Sequence, residues 1–211
     1  MIVDGRKLTL KEFESLVKKY NFGSNNPNKI VIHHTWKPKV KDWKGKASFD
    51  GTVGYYKSKG WRAAPHIFVA PDGIWLMTPM NMRGIHAGVG NWRSIGIEVV
   101  GDYDTKKWEG SIKTDALGVI RALMKALGLN TTQVKFHREY NKSKSCPGHS
   151  ITKEWLFREL NYYKEKHKVP DWGKKAWKWA KDEGVISDKS EFNAPLTKGE
   201  FAVLLHRYHN G

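Results

Sequence analysis

Two short stretches of the chain hold residues that could bind a catalytic metal ion. The first contains His33 and His34 behind a run of β-branched residues, and the second contains His137 and, nine residues later, Cys146. Two imidazoles and one thiolate, with a fourth position left for water, form a catalytic zinc pattern. His33 ends a predicted buried strand, where a rigid backbone can fix the direction of its ring. The residue types and spacing therefore predict a zinc site that activates water and polarises a carbonyl group.

The role of Cys146 and the choice of the histidine ligands both have alternatives. Cys146 is the chain's only cysteine, so it cannot form an internal disulfide. An isolated cysteine is often a small buried hydrophobe, but Cys146 precedes Pro147 and Gly148 among polar residues, which favours a ligand or a nucleophile. His149, three residues after Cys146, is a rival ligand that only the geometry can separate from the others.

Helix and strand patterns alternate without a strict repeat along the main part of the chain. A capping box from Thr9 to Glu12 begins an amphipathic helix, and Pro71-Asp72-Gly73 marks a hairpin turn. The predicted strands are Lys29 to Thr35, Pro65 to Ala70, Ile74 to Thr78, Ile95 to Val100 and Val134 to Phe136. The later predicted helices are Thr52 to Lys59, Ser111 to Leu127 and Thr152 to Lys166. We therefore expect an α/β domain with a central mixed β-sheet flanked by helices.

A domain boundary is predicted at Val169-Pro170-Asp171. Asp171 could cap a helix that ends before Gly184, and a second capping box, Thr197 to Glu200, begins another helix. The 211 residues thus divide into a main domain, 1–168, and a small helix–loop–helix unit, 169–211. Such a unit has a small core for independent stability, so we expect it to pack on the main domain, a second copy or a partner.

The charge of the chain favours an anionic partner. The formal net charge is +16, and nearly all of it lies in 1–168, because 169–211 contains seven basic and six acidic residues. Such a field steers polyanions, of which nucleic acid and an anionic cell wall are two candidates, although it could also serve solubility alone. No apolar run is long enough to span a membrane, and the N-terminus does not read as a signal peptide.

Four motifs, taken in order, resemble those of the type 2 N-acetylmuramoyl-L-alanine amidases. They are VIHHT from Val31, SIGIE from Ser94, HRE from His137 and KSCPG from Lys144. That family includes phage endolysins, bacterial amidases and animal peptidoglycan recognition proteins, and the resemblance covers about residues 25–160. It implies zinc-dependent hydrolysis of the amide between the lactyl group of N-acetylmuramic acid and L-alanine in peptidoglycan.

The resemblance also implies roles for particular residues. The family's zinc ligands match His33, His137 and Cys146, which leaves His34 in a structural role or in contact with substrate. Lys144, two residues before the cysteine, matches a position whose ammonium would stabilise the oxyanion of the tetrahedral intermediate.

The proton-transfer group is where the chain departs from one branch of this family. Many members carry a catalytic Tyr near the position of Pro65, and no phenol is present there. Another branch has a Glu in its Ile-Gly-Ile-Glu motif, and Glu98 matches it. We therefore expect Glu98 to act as the general base and to pass its proton to the leaving amine. The alternative is a solvated carboxylate at a sheet edge.

Several aromatic residues are candidates for substrate contact. His86 resembles a recurring family feature near the groove, and His66 could contact substrate or be a satisfied core histidine. Trp61 is expected to stack on a sugar face, as could Trp75 and Trp92, although most tryptophans are simply packed.

The C-terminal residues resemble a single S-layer-homology motif. Matching features are VPDW at Val169, AWKWA at Ala176, GVI at Gly184 and LTKGEFA at Leu196. Such motifs commonly occur in threes and bind wall polymers, so the resemblance implies a wall-binding or homo-oligomerisation unit, or else a stabilising appendage.

Taken together, these features predict a zinc amidase of phage or prophage type that lyses a Gram-positive host. Its expected partners are peptidoglycan and anionic wall polymers, with no membrane span and no dedicated nucleic-acid partner. Its expected location is the host cytoplasm until a separate holin releases it to the wall. The rival hypotheses are a non-catalytic peptidoglycan-binding module and a nucleic-acid-binding protein, although the chain shows neither an RNA-recognition nor a zinc-finger spacing.

Overall fold

The computed structural model describes residues 1–166 and 174–184, with the side chains of 162–166 excepted. Its strands are β1 (Lys7–Leu8), β2 (Lys29–His34), β3 (Ile67–Ala70), β4 (Gly73–Leu76), β5 (Ser94–Val99) and β6 (Val134–Phe136). Its helices are α1 (Leu10–Lys18), α2 (Lys46–Ser58), α3 (Gly110–Leu127), α4 (His137–Tyr140), α5 (Lys153–Lys166) and α6 (Lys174–Asp182). No helix in the described ranges combines the length and apolar character needed to cross a bilayer.

The six strands form one mixed sheet in the order β1-β4-β3-β5-β2-β6. The central strands β3, β5, β2 and β6 are parallel, while β4 pairs antiparallel with both β1 and β3. The expected mixed sheet flanked by helices is confirmed. Strands β3 and β5 are buried throughout, and β2 is buried at every residue but Lys29, as expected for central parallel strands covered on both faces.

Local sequence signals explain where the helices around this sheet begin and end. In α1 the Thr9 side chain accepts the Glu12 backbone N–H, and the Glu12 carboxylate accepts the Thr9 N–H, so the predicted capping box is present. Gly128 ends α3 in the left-handed conformation and donates its N–H to the Met124 carbonyl. Gly118 lies at a close approach of α3 to Leu10, where a Cβ atom would lie 2.5 Å from that side chain.

The structure differs from the sequence predictions at three elements. Helix α2 begins at Lys46 rather than Thr52, because Gly45 at φ 56° turns the chain into the helix earlier. The two-residue strand β1 was not expected, since so short a segment shows no periodicity. The turn α4 was also not expected, and it places His137 at a helix start directly after β6.

The chain divides into two compact units, Met1–Phe157 and Arg158–Gly211. The division falls within α5, whereas the sequence predicts a boundary after residue 168, which stays a prediction. In the second unit, α6 agrees with the helix expected before Gly184. The second capping box at Thr197 and most of the S-layer-homology resemblance lie outside the described residues.

Candidate active site

The sheet register places a row of side chains, two of them titratable, on one face of the sheet. His33 on β2 pairs with Glu98 on β5, and Glu98 pairs with Phe68 on β3. Residues paired in register on parallel strands point to the same face, so the three side chains are neighbours. Strand β6 pairs Phe136 with Ile32, which brings the following His137 beside His33, with ring centroids 4.6 Å apart.

A set of possible metal ligands lies at one end of this row. One donor atom from each of His33, His137 and Cys146 lies within 4.8 Å of the other two. Tetrahedral zinc bound by two nitrogens and a sulfur requires donor separations of about 3.5 Å, so small side-chain shifts suffice. Two nitrogens and a thiolate also match zinc chemically. The three residues predicted as ligands can therefore hold a zinc ion together.

His149, the rival ligand, lies apart from this group. Its side chain is exposed, and its backbone N–H donates to a carboxylate oxygen of Asp104 at 3.1 Å. Among the described residues, the group of His33, His137 and Cys146 is the one found that could hold a metal ion.

A chain of hydrogen bonds behind His33 fixes its orientation. His33 Nε2 lies 3.0 Å from His86 Nδ1, and His86 Nε2 lies 3.2 Å from the Ser94 hydroxyl. The Ser94 hydroxyl donates onward to the Asn91 carbonyl. This direction makes His86 Nε2 the donor to Ser94, so His86 Nδ1 accepts from His33 Nε2 and His33 Nδ1 keeps its lone pair. Such outer partners hold a ligating imidazole in the required tautomer.

Burial keeps these imidazoles neutral. It lowers the pKa of His33 well below 6.5, and the nearby His137 adds to that effect. It also lowers the pKa of His86 well below 6.5. Because a neutral ring is the form that binds metal, both shifts favour ligation by His33.

Cys146 is buried with its sulfur in a polar contact. Its Sγ accepts the backbone N–H of His34 at 3.3 Å. Burial raises the pKa of the thiol, and Glu98 raises it further, whereas the His34 N–H and the charges of Arg138 and Lys144 lower it. A bound cation would reverse the first effect, because a coordinating thiol is deprotonated outright.

Glu98 is buried with one unpartnered oxygen. Its Oε1 lies 4.0 Å from His33 Nδ1, and no hydrogen-bond partner for the buried Oε2 is found in the described part of the chain. Burial raises the pKa of this carboxyl to about 8. The alternative of a solvated edge carboxylate is therefore wrong, since β5 is central. An orphaned carboxylate oxygen beside a ligand set fits a group that exchanges protons with a bound molecule.

Two further groups act on this site electrostatically. Lys144 is exposed, and its positive charge helps to lower the pKa of both His137 and Cys146. Burial raises the pKa of the Tyr56 phenol, and the charges of Glu98 and Cys146 add to the effect. Tyr56 stays protonated, and its ring centroid lies 6.5 Å from that of Phe68, the neighbour of Glu98 on β3, a position that the sequence did not suggest.

The residues predicted to contact substrate occupy different environments. His86 contacts His33 as described, and Trp61 is half-buried with its ring stacked 5.2 Å from Tyr56. His34 points to the sheet face opposite His33, where its Nδ1 accepts the Tyr103 N–H. His66 is fully buried, its Nδ1 accepts the Gly96 N–H, and its Nε2 contacts the Met82 carbonyl.

The residues predicted to contact substrate, or considered for that role, differ in burial and in the sheet face on which they lie. His66 has the geometry of a satisfied core histidine, and the His34 ring lies on the sheet face opposite His33 and Glu98. Trp75 is buried in the core against Phe49, whereas Trp92 is exposed. Substrate contact by Trp61 and His86 stays a prediction.

Sequence reasoning missed the residues that shape the loop around His86. The Asn91 side-chain oxygen accepts the backbone N–H groups of His86 and Ala87, at 2.9 and 2.6 Å. Ser94 belongs to the SIGIE motif, which by itself predicts no role for its hydroxyl group. An Asn five residues after a functional His is a weak signal, because only the fold shows that its amide turns back onto that His.

The model of the family described as N-acetylmuramoyl-L-alanine amidase matches residues 23–149, which include every residue of the site. The chain belongs to the N-acetylmuramoyl-L-alanine amidase family. Membership of this amidase family supports peptidoglycan amidase activity.

Solved structures agree with this assignment. The endolysine N-acetylmuramoyl-L-alanine amidase LysCS from Clostridium intestinale URNW is 26% identical, with a TM-score of 0.54 over 66% of this chain and 87% of that chain. LysC from the same organism is 27% identical, with a TM-score of 0.55 over 68% and 94% of the two chains. Wild-type Drosophila PGRP-LB, at 20% identity and a TM-score of 0.55 over 79% and 98%, shows the same fold. A comparison with curated proteins finds no significant match.

Proposed function

We propose that this amidase is a zinc-dependent endolysin that hydrolyses the amide between the lactyl group of N-acetylmuramic acid and L-alanine. The observation that carries the proposal is the placement of Glu98 beside the set of His33, His137 and Cys146 on one sheet face. The two similar Clostridium proteins are N-acetylmuramoyl-L-alanine amidases, one of them an endolysine, which supports the same activity and a lytic role.

The proposed reaction adds water across the amide bond. A zinc ion, when bound by His33, His137 and Cys146, would lower the pKa of water and polarise the lactyl carbonyl. Glu98 accepts a proton from the attacking water through its unpartnered oxygen. The Lys144 ammonium stabilises the negative charge that develops on the carbonyl oxygen. As the carbon–nitrogen bond breaks, Glu98 returns the proton to the L-alanine nitrogen, which leaves as an amine.

The reaction is tested by mass spectrometry of purified peptidoglycan digested with the full chain. We expect new N-terminal L-alanine and no new reducing ends, which separates an amidase from a glycosidase. Metal removal with a chelator should abolish product formation, and added Zn2+ should restore it. If metal-loaded protein binds walls without releasing L-alanine termini, the chain is a binding module and the proposed hydrolysis is wrong.

A further inference from the structure

The loop that carries Cys146 has no regular secondary structure of its own. It lies between the end of α4 at Tyr140 and the start of α5 at Lys153. A metal ligand must be held to a fraction of an ångström for tight binding, and loops are less precise than helices or strands. The loop therefore needs another source of rigidity.

One side chain bonds to three carbonyl groups of this loop. Arg138 Nη1 donates to the carbonyls of Ser145 and Gly148, each at 2.9 Å. Its Nη2 donates to the Ile151 carbonyl at 2.7 Å. The backbone N–H of Arg138 adds a fourth bond, to the Cys146 carbonyl at 3.0 Å.

The Arg138 side chain extends from α4, and its guanidinium group stacks on a ring of β6. Arg138 is the second residue of α4, directly after His137, and its guanidinium carbon lies 4.6 Å from the centroid of the Phe136 ring. Stacking on an aromatic face fixes the plane of the guanidinium, and its rigid fork aims several donors at once. The residue beside one candidate ligand thus holds the loop on both sides of another.

We propose that Arg138 is a positioning residue for the metal centre, which sets the Cys146 sulfur against the His137 ring. The inference rests on the proposed function, because it assumes that these residues ligate one ion. Arg138 does not touch the reacting atoms. It acts through the backbone of residues 145–151, and its contribution is geometric.

Substitutions at Arg138 separate the geometry from the charge. Arg138→Lys keeps the positive charge but replaces a planar fork with a single ammonium, which cannot bond the three carbonyls in the same way. Arg138→Gln removes the charge and keeps a planar donor. Arg62→Lys is the matched control, since Arg62 is exposed in the same unit and lies outside the site.

Cobalt binding measures the position of Cys146 without any reference to activity. The apo protein is titrated with Co2+, and the thiolate-to-cobalt absorption band is recorded together with the affinities for Co2+ and, by chelator competition, for Zn2+. We expect Arg138→Lys and Arg138→Gln to lower both affinities about 10- to 100-fold, the range found when outer-shell partners of metal ligands are removed. The thiolate band at saturating Co2+ should weaken in both variants and stay unchanged in Arg62→Lys.

Three outcomes contradict the proposal. Unchanged metal affinity and an unchanged thiolate band in Arg138→Lys would show that the position of the Cys146 loop does not depend on the guanidinium hydrogen bonds. If neither Arg138 variant folds by circular dichroism, Arg138 supports the fold as a whole and is not specific to the centre. If wild-type protein binds neither Co2+ nor Zn2+, the metal site of the proposed function is wrong. That outcome differs from metal binding that is unaffected by the Arg138 substitutions, which contradicts only the role of Arg138.

Discussion

At the scale of single residues, the site combines a buried carboxylate with neutral imidazoles. Glu98 is held in an apolar strand, and burial raises its pKa to about 8. A carboxyl group with such a pKa takes up and releases protons more readily near neutral pH than an exposed one.

Glu98→Gln should remove most of the lytic activity while leaving the metal site intact. Loss of a general base typically costs about 10²- to 10⁴-fold in rate, and glutamine keeps the size of the side chain. Turbidity loss of purified walls measures the rate, and metal content per chain measures the site. Glu14→Gln, on the exposed surface of α1, is the control. Full activity in Glu98→Gln would remove the general-base role.

His66 should make the stability of the protein depend on pH. Its pKa is lowered from 6.5 to about 4 by burial, so the unfolded chain binds a proton at a pH where the folded chain does not. The neutral ring's contribution to stability is complete above pH 6.5 and is lost as the pH falls toward 4. Between about pH 7.5 and pH 5 the loss from this one residue is about 2 kcal/mol.

His66→Gln isolates this contribution from the other buried histidines, which titrate in the same direction. Urea unfolding at the two pH values gives the change in the free energy of unfolding for each protein. We expect the change to be about 2 kcal/mol smaller in His66→Gln than in wild type. Equal changes in the two proteins would show that His66 titrates normally in the folded state.

At the scale of elements, the ends of the strands and the loops after them carry the site. His33 and Glu98 are the second-last residues of β2 and β5, and His137 directly follows β6. The carboxyl ends of parallel strands meet at one edge of a sheet, which is where α/β folds place their sites. The loop between α4 and α5 supplies the third possible ligand, Cys146.

Gly148→Ala should disturb this loop. Gly148 has φ 107°, and a Cβ atom there would lie 2.3 Å from the Tyr103 carbonyl oxygen, a backbone atom that cannot rotate away. A clash combined with an unfavourable backbone angle costs about 1–3 kcal/mol or more. Thermal unfolding should show the loss, and Zn2+ affinity should fall with it because Cys146 moves. Gly51→Ala is the control, since its Cβ would meet nothing within 4 Å, and a Gly148→Ala variant as stable as wild type would contradict the expectation.

At the scale of the whole molecule, the distribution of charge favours an anionic wall. The main domain carries nearly all of the net charge of +16. Peptidoglycan strands with acidic secondary polymers present such a surface, and a positive field raises the rate of encounter with it. The C-terminal residues 169–211 remain our proposed wall-binding or oligomerisation unit. A strict monomer by light scattering of the full chain would exclude the oligomer.

Binding to walls should weaken with salt and with removal of the anionic polymers. Ionic strength near 1 M shortens the screening length to about 3 Å, so exposed charges separated by more than that distance cease to attract. Sedimentation of the full chain with intact walls and with walls stripped of acidic polymers measures both effects. Binding that is equal in low and high salt would show that apolar and sugar contacts dominate.

The sequence by itself determined most of the strands and helices and the candidate residues, although not β1, α4 or the start of α2. Strands β2 and β5, the capping box of α1 and the Gly128 end of α3 are local patterns of hydrophobicity and capping, so they can be read without the fold. Residue types and spacing indicated His33, His137 and Cys146 as possible ligands, and the resemblance to the amidases implied the role of Glu98.

The tertiary structure alone decided which of these residues meet. The register of β2 against β5 places His33 beside Glu98, and nothing in either strand's own sequence specifies that pairing. The pairing also separates His33 from His34, because alternate residues of a strand face opposite sides of the sheet. The contact of His86 with His33 and the bonds from Arg138 to the Cys146 loop are likewise long-range or conformational. They depend on how the whole chain packs, since hydrogen bonds to carbonyls of an irregular loop leave no periodic trace in the sequence.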